Sequence, residues 1–203
     1  MKFQTISKPS KSKFTEKGSK FLGFAFPVGD KASIDTLLHD IRKTYYDATH
    51  HCYAWQLGYG KNMTFRYNDD GEPSGTAGKP IYNAITRLDL TNVLVLSVRY
   101  FGGTKLGTGG LIRAYGTSAS NTLAAAVIKT VEHGDKIRFV CSYEHHPIIM
   151  RTINQYHIIS LDQEFAENVS VDVEIDEKNT EHVLQDVKNV TNGGVLGKIL
   201  NTC

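Results

Sequence analysis

Residues 92–126, NVLVLSVRYFGGTKLGTGGLIRAYGTSASNTLAAA, limit what this chain can fold into more than any other stretch. Val93–Val98 is an almost unbroken apolar run of strand length, rich in Val, and reads as a central strand buried on both faces. Arg99, Tyr100 and Phe101 then lead into a loop in which Gly102, Gly103, Gly107, Gly109 and Gly110 fall within nine residues. Beyond the loop the apolar period changes from about 2 to about 3.6. Leu111, Ile112, Tyr115, Ala119, Thr122, Leu123 and Ala126 then share one helical face. The stretch is strand, glycine-rich turn, helix.

Such a unit turns backbone N–H groups and a positive helix end toward whatever lies at the turn. Arg99, Lys105 and Arg113 add full charges around the loop. The combination favours an anion, most simply a phosphate, although neither the P-loop sequence nor G-x-G-x-x-G spacing is present. The alternative is that the glycines serve only a tight, close-packed turn. Equally, Asp69, Asp70 or Glu72 would neutralise the cations if the fold brought them near.

The run from Arg99 to Tyr115, RYFGGTKLGTGGLIRAY, resembles the signature of the IMPACT family, in its YigZ-like bacterial form. Ala48–Ala54, ATHHCYA, and Asp69–Pro80, DDGEPSGTAGKP, agree with it. Three long blocks in the right order make the resemblance specific across residues 10–130; the remainder follows by architecture. It implies an α+β chain, with a ribosomal-protein-S5-domain-2-like N-terminal domain followed by a ferredoxin-like βαββαβ C-terminal domain. It further implies a nucleic-acid or translation-machinery role with no established reaction.

Composition agrees with a globular chain. At 203 residues, 40% hydrophobic and 22% charged, it can bury a sizeable core as one large domain or two small ones. No signal-peptide pattern and no apolar run of membrane-spanning length is present. Cys52, Cys141 and Cys203 are odd in number and widely spaced, which argues for free thiols in a reducing cytoplasm. Charge is unevenly placed. Residues 1–130 hold 17 Lys+Arg against 9 Asp+Glu, a net +8, and residues 131–203 hold 6 against 12, a net −6. A basic domain followed by an acidic one fits polyanion binding by the first.

Along the chain, Lys2–Lys20, with six lysines, reads as a short edge strand plus a mobile basic arm. Phe21–Val28 is a strand ended by Pro27, Gly29 and Asp30. A helix follows from about Ser33, with Ile34, Leu37, Leu38 and Ile41 as its stripe. From Ala48 to Gly58 the period is 2: Tyr53, Trp55 and Leu57 face one way, Cys52, Ala54 and Gln56 the other. Asn62–Asn68 is the hairpin partner. Asn68–Pro80 is a loop, and Ala77–Leu88 a short helix. Periodicity breaks at Thr130–Asp135, the expected joint between a domain at 1–132 and one at 135–203. Beyond it the pattern is strand, helix, strand, strand, helix, strand, a ferredoxin-like plan.

Candidate catalytic groups are few. Cys52 shares a strand face with His50 while His51 points opposite, and an apolar setting favours a core thiol. Ser74 lies in Pro-Ser-Gly-Thr, outside any nucleophile elbow. Asp69 and Asp70 are the best carboxylates for magnesium-assisted chemistry, yet the pattern lacks a calcium-loop spacing. No catalytic residue, metal site or cofactor is therefore assigned. Arg66, Lys79, Arg99, Lys105 and Arg113, with Gly102, Gly103, Gly107, Gly109 and Gly110, are the expected anion or nucleic-acid contacts. His50, Asp69, Asp70, Glu72 and Ser74 are expected to form a polar cleft beside the loop, and Tyr82 and Tyr100 to be exposed. The sequence favours a noncatalytic cytoplasmic binder of RNA or a ribonucleoprotein, away from membranes. The alternative is a small-molecule phosphate enzyme or sensor built on the glycine loop and the acidic cleft.

Overall fold

The strand read from Val93–Val98 is β6 (Val93–Tyr100), the middle of a five-stranded antiparallel sheet. The computed structural model describes residues 2–200, apart from the side chain of Lys61, so Cys203 lies outside the described residues. In chain order the other strands of this sheet are β2 (Ser10–Glu16), β3 (Ser19–Pro27), β4 (His50–Leu57) and β5 (Thr64–Asn68). Their spatial order is β2-β3-β6-β4-β5. β1 (Lys2–Ile6) pairs separately with β7 (Ile128–Glu132).

Period-2 alternation sorts β4 and β6 between two cores. On one face Tyr53, Trp55, Leu94 and Leu96 pack with α1 (Lys31–Thr44) through Ile34, Leu37, Leu38 and Ile41. Asp30 caps α1, its carboxylate accepting from Ser33 N at 2.7 Å. On the other face Cys52, Ala54, Val93 and Val95 pack under α2 (Gly78–Arg87) and α3 (Gly107–Ala124), with Ile81, Ile85, Leu111, Tyr115, Ala119 and Leu123 as the helical knobs.

The mobile basic arm expected within Lys2–Lys20 is instead ordered strand. Lys17 and Gly18, with φ of 46° and 81°, make a two-residue turn of the kind that matches sheet twist, and Glu16 pairs with Ser19 across it. In β2 the inward residues are Ser10, Ser12 and Phe14, and the lysines alternate outward. Ser10 Oγ donates to Thr122 O at 2.8 Å, and Ser12 Oγ lies 2.7 Å from Thr122 Oγ1. The strand is held to α3 by hydroxyls, which is why no apolar pattern announced it.

Contacts divide the chain into two units, Phe3–Val131 and Glu132 onward together with Lys2. The stretch Thr130–Asp135 is not irregular chain: β7 runs through Glu132 and β8 (Asp135–Cys141) begins three residues later. In the second unit β8, α4 (His146–Ile153), β9 (Ile158–Phe165), β10 (Val169–Ile175), α5 (Thr180–Val190) and β11 (Gly197–Leu200) follow in turn. The sheet order β11-β8-β10-β9, antiparallel throughout, is the ferredoxin-like arrangement. Strict alternation in β10 buries Val169, Val171, Val173 and Ile175 against Ile149, Ile153, Val183 and Val187. Among the described residues no helix is long and apolar enough to cross a membrane.

Candidate functional site

Two features meet around the glycine loop: a buried polar network beneath it and an exposed basic layer beside it. The network begins at Arg99, the penultimate residue of β6 and only 5% exposed. Its Nη1 pairs with Glu72 Oε1 at 2.5 Å, and the same oxygen accepts from Tyr115 OH at 2.7 Å. Arg99 Nη2 reaches Ser19 Oγ at 3.3 Å, while its buried Nε has no hydrogen-bond partner. The rings of Phe21 and Phe101 lie 5.6 and 5.7 Å from the guanidinium and supply part of the lost solvation. Arg99 thus faces inward onto an acid and not outward with Lys105. Of the two possibilities open in the sequence, internal neutralisation is the one its geometry supports.

The expected polar cleft is in part assembled and in part closed. His50 Nδ1 lies 2.8 Å from Asp70 O and its Nε2 lies 3.8 Å from Glu72 Oε1. Asp70, at φ 45°, accepts from Arg42 Nη2 and from His51 N, each at 2.6 Å. Burial works against its charge, but these donors hold its carboxyl below the ordinary carboxylate range. Asp69 turns the other way. Its carboxylate accepts from Gly75 N, Ala77 N and Gly78 N at 2.8–2.9 Å and so satisfies the orphan donors at the start of α2. Neither Asp69 nor Asp70 presents its carboxylate for the magnesium-assisted chemistry considered from the sequence. Ser74 is exposed and outside the cluster. Among the described residues no group of three or more His, Cys, Asp and Glu is placed to hold a metal ion.

Cys52 is fully buried, donates to Asp69 O at 3.0 Å, and burial pushes its thiol far up. Burial does the same to the Tyr115 hydroxyl. Both groups stay protonated and act as hydrogen-bond donors, which disqualifies the thiol as a nucleophile. Ser19 and Arg42 belong to this network and carry no motif in the sequence; Tyr115 reads there as a helix core position, and the structure adds its hydroxyl to the network. Their spacing from Glu72 and Asp70 carries no local signal.

The glycines divide by role. Gly102 lies against the β2–β3 turn: a Cβ there would stand 1.9 Å from Gly18 C. Gly103 takes φ 85° and Gly107 φ 70°. Gly109 and Gly110 sit in the first turn of α3 without positive φ. That turn has no acidic residue and no side-chain cap, and Lys105 before it is exposed.

Beside the loop, α2 and α3 form the outer layer of the first unit. Neither helix contains an acidic residue, whereas Lys79, Arg87 and Arg113 are all exposed on them. Between the helices runs a groove of 480 Å³ whose polar lining comes from Asn83, Arg87, Arg113, Thr117, Ser120 and Asn121. Arg66 is exposed on the terminal strand β5. Tyr82 is half-buried, its hydroxyl donating to Gln56 Oε1 at 3.0 Å, and Tyr100 donates to Asp47 Oδ1 at 2.9 Å. Arg87 and the groove itself were missed in the sequence, because a lone arginine at a helix end has no motif.

Comparison with known proteins fits this architecture. The Impact N-terminal domain model matches residues 17–123. The IMPACT family member YvyE of Bacillus subtilis (strain 168) is 29% identical over 93% of this chain and 87% of its own length. The IMPACT family member YigZ of Escherichia coli (strain K12) is 35% identical over 53% of each chain. A crystal structure described as that of a hypothetical protein superposes with a TM-score of 0.69 at 23% identity, covering 100% of this chain and 98% of its own, and shares the fold. With the family model matching residues 17–123, more than half of its length, the chain belongs to the IMPACT family.

Proposed function

We propose that the first unit is a noncatalytic polyanion binder that engages RNA or a ribonucleoprotein surface, in the cytoplasm and in the translation-associated setting that the family resemblance implies. The observation that carries this reading is the helical layer of α2 and α3, which exposes three basic side chains and contains no acid. Lys105 and the uncapped start of α3 extend that surface, whereas Arg66, paired in register with Trp55, lies on the opposite face of the sheet. Phosphate neutralisation by such a layer gives affinity without sequence preference.

The small-molecule alternative loses two of its charged groups, because Arg99 is taken by Glu72 and Asp70 by Arg42. The test is RNA affinity measured at several salt concentrations. Arg87→Ala and Arg113→Ala should each weaken binding to all RNA sequences alike and lower the salt slope by about one. Unchanged slopes in both variants would remove the layer from the binding surface.

A further inference from the structure

Phe65 and Tyr67 are 51% and 40% exposed, on the sheet's terminal strand β5. Pairing in register with Gln56 and Ala54 puts both rings on the side of the sheet covered by α2 and α3. There Tyr82 of α2 stacks on Phe65 with ring centroids 4.6 Å apart and 18° between planes, and it lies 6.1 Å from Tyr67. Gln56, anchored to Leu90 O, fixes the Tyr82 hydroxyl, so the three rings form one positioned aromatic surface. A satellite of core would be covered; this one leaves Phe65 and Tyr67 about half exposed. Lys79 lies one helical turn before Tyr82, neither β5 nor α2 contains an acidic residue, and the Asp69 carboxylate at the start of α2 is taken up by backbone N–H groups; Arg66, paired in register with Trp55, points to the other face of the sheet. Asp89 follows α2 at its far end.

Resting on the nucleic-acid reading above, we propose that this β5–α2 face is a stacking platform for unpaired bases, which makes single-stranded RNA the ligand of the first unit. Every base has a π-face, so exposed rings beside a cation such as Lys79 hold a single strand without reading its sequence. Duplex RNA keeps its bases stacked inside the helix and offers such rings nothing. A peptide adding a strand to β5 would use the backbone edge and would need neither the rings nor Lys79.

The experiment compares the full-length protein with Phe65→Ala, Tyr67→Ala and Phe65→Leu, using a labelled oligouridylate and an RNA duplex of equal length. The oligouridylate should bind the wild type more tightly than the duplex. Each alanine variant should lose roughly 5- to 100-fold in oligouridylate affinity, with duplex affinity and salt slope unchanged. Phe65→Leu keeps apolar bulk without a π-face, so it should keep the melting temperature and still lose binding. If the ring variants bind oligouridylate normally while Arg87→Ala weakens it, RNA binding stands and the platform is overturned. If the wild type binds neither RNA, both readings fall. Rejection of RNA with capture of an extended peptide that is sensitive to Phe65 would also overturn the proposal.

Discussion

Arg99 and Glu72 stand 27 residues apart in sequence and form a buried ion pair 2.5 Å long, with Tyr115 donating to the same carboxylate oxygen. Breaking such a pair by removing one partner leaves an uncompensated charge, a loss of about 3–5 kcal/mol. Arg99→Ala should therefore lower the melting temperature and leave the salt slope of RNA binding alone. Lys105→Ala should do the reverse, lowering the slope by about one at constant stability. A melting curve beside a salt titration separates them, and the opposite pattern would move Arg99 to the binding surface.

The glycines make a second contrast. Gly102→Ala puts a methyl group onto the Gly18 backbone and has no flexible side chain to push aside, so it should destabilise by several kcal/mol or prevent folding. Gly103→Ala must hold φ 85° and should lose about 1 kcal/mol or more. Gly109→Ala sits in a helical turn with only the end of Arg113 within 3.6 Å, so it should be neutral or mildly stabilising. Denaturant midpoints for the three variants check this order.

His51 gives a pH dependence. Burial holds it below its ordinary value of 6.5, with Arg42 adding to the effect, while the bond to Tyr45 O and the charge of Asp70 oppose it. The unfolded chain takes up a proton near pH 6.5 that the folded imidazole does not. Its share of stability is thus complete above pH 6.5 and declines as pH falls toward its lower folded value. Asp70, also held below its ordinary 3.8, adds a further loss at lower pH. His51→Gln should flatten the first decline only. Melting temperatures across the acid range would show this, and a variant with the wild-type slope would exclude His51 as its source.

The second unit has its own core of Ile137, Phe139, Val171, Val173, Val183 and Val187. A fragment starting at Glu132 should give a cooperative calorimetric transition by itself. If it unfolds without one while the full chain melts sharply, the units are not autonomous.

Much of the fold was written in local periodicity. The apolar run of β6 and the alternation in β4 and β10 were legible because their inward residues are largely apolar and their pattern is regular. β2 was not, because its inward residues are Ser10 and Ser12, which hydrogen-bond to α3 and resemble a polar tail. The chemistry was less legible than the fold. Arg99 looked like a loop cation because it follows an apolar strand. Its partner is delivered by a left-handed turn at Asp70 and Gly71, with φ of 45° and 86°, far from it in sequence. Asp69 likewise looked like half of a carboxylate pair, but the start of α2 had no cap of its own and drew it away.

The hydroxyls that fasten α3 reach beyond β2. Ser97 Oγ lies 2.8 Å from Ser118 Oγ in the interior, and a Cβ on Gly23 would stand 1.9 Å from Thr122 Oγ1. An apolar seam is non-directional and lets a helix slide along its axis; this one sets the axial position of α3 by bond direction and leaves no room to shift sideways. The backbone position of Arg113 on α3 is consequently in place before any ligand arrives. Association then requires no repacking step, so its rate should follow encounter and electrostatic steering, single-exponential in time and slowed by salt.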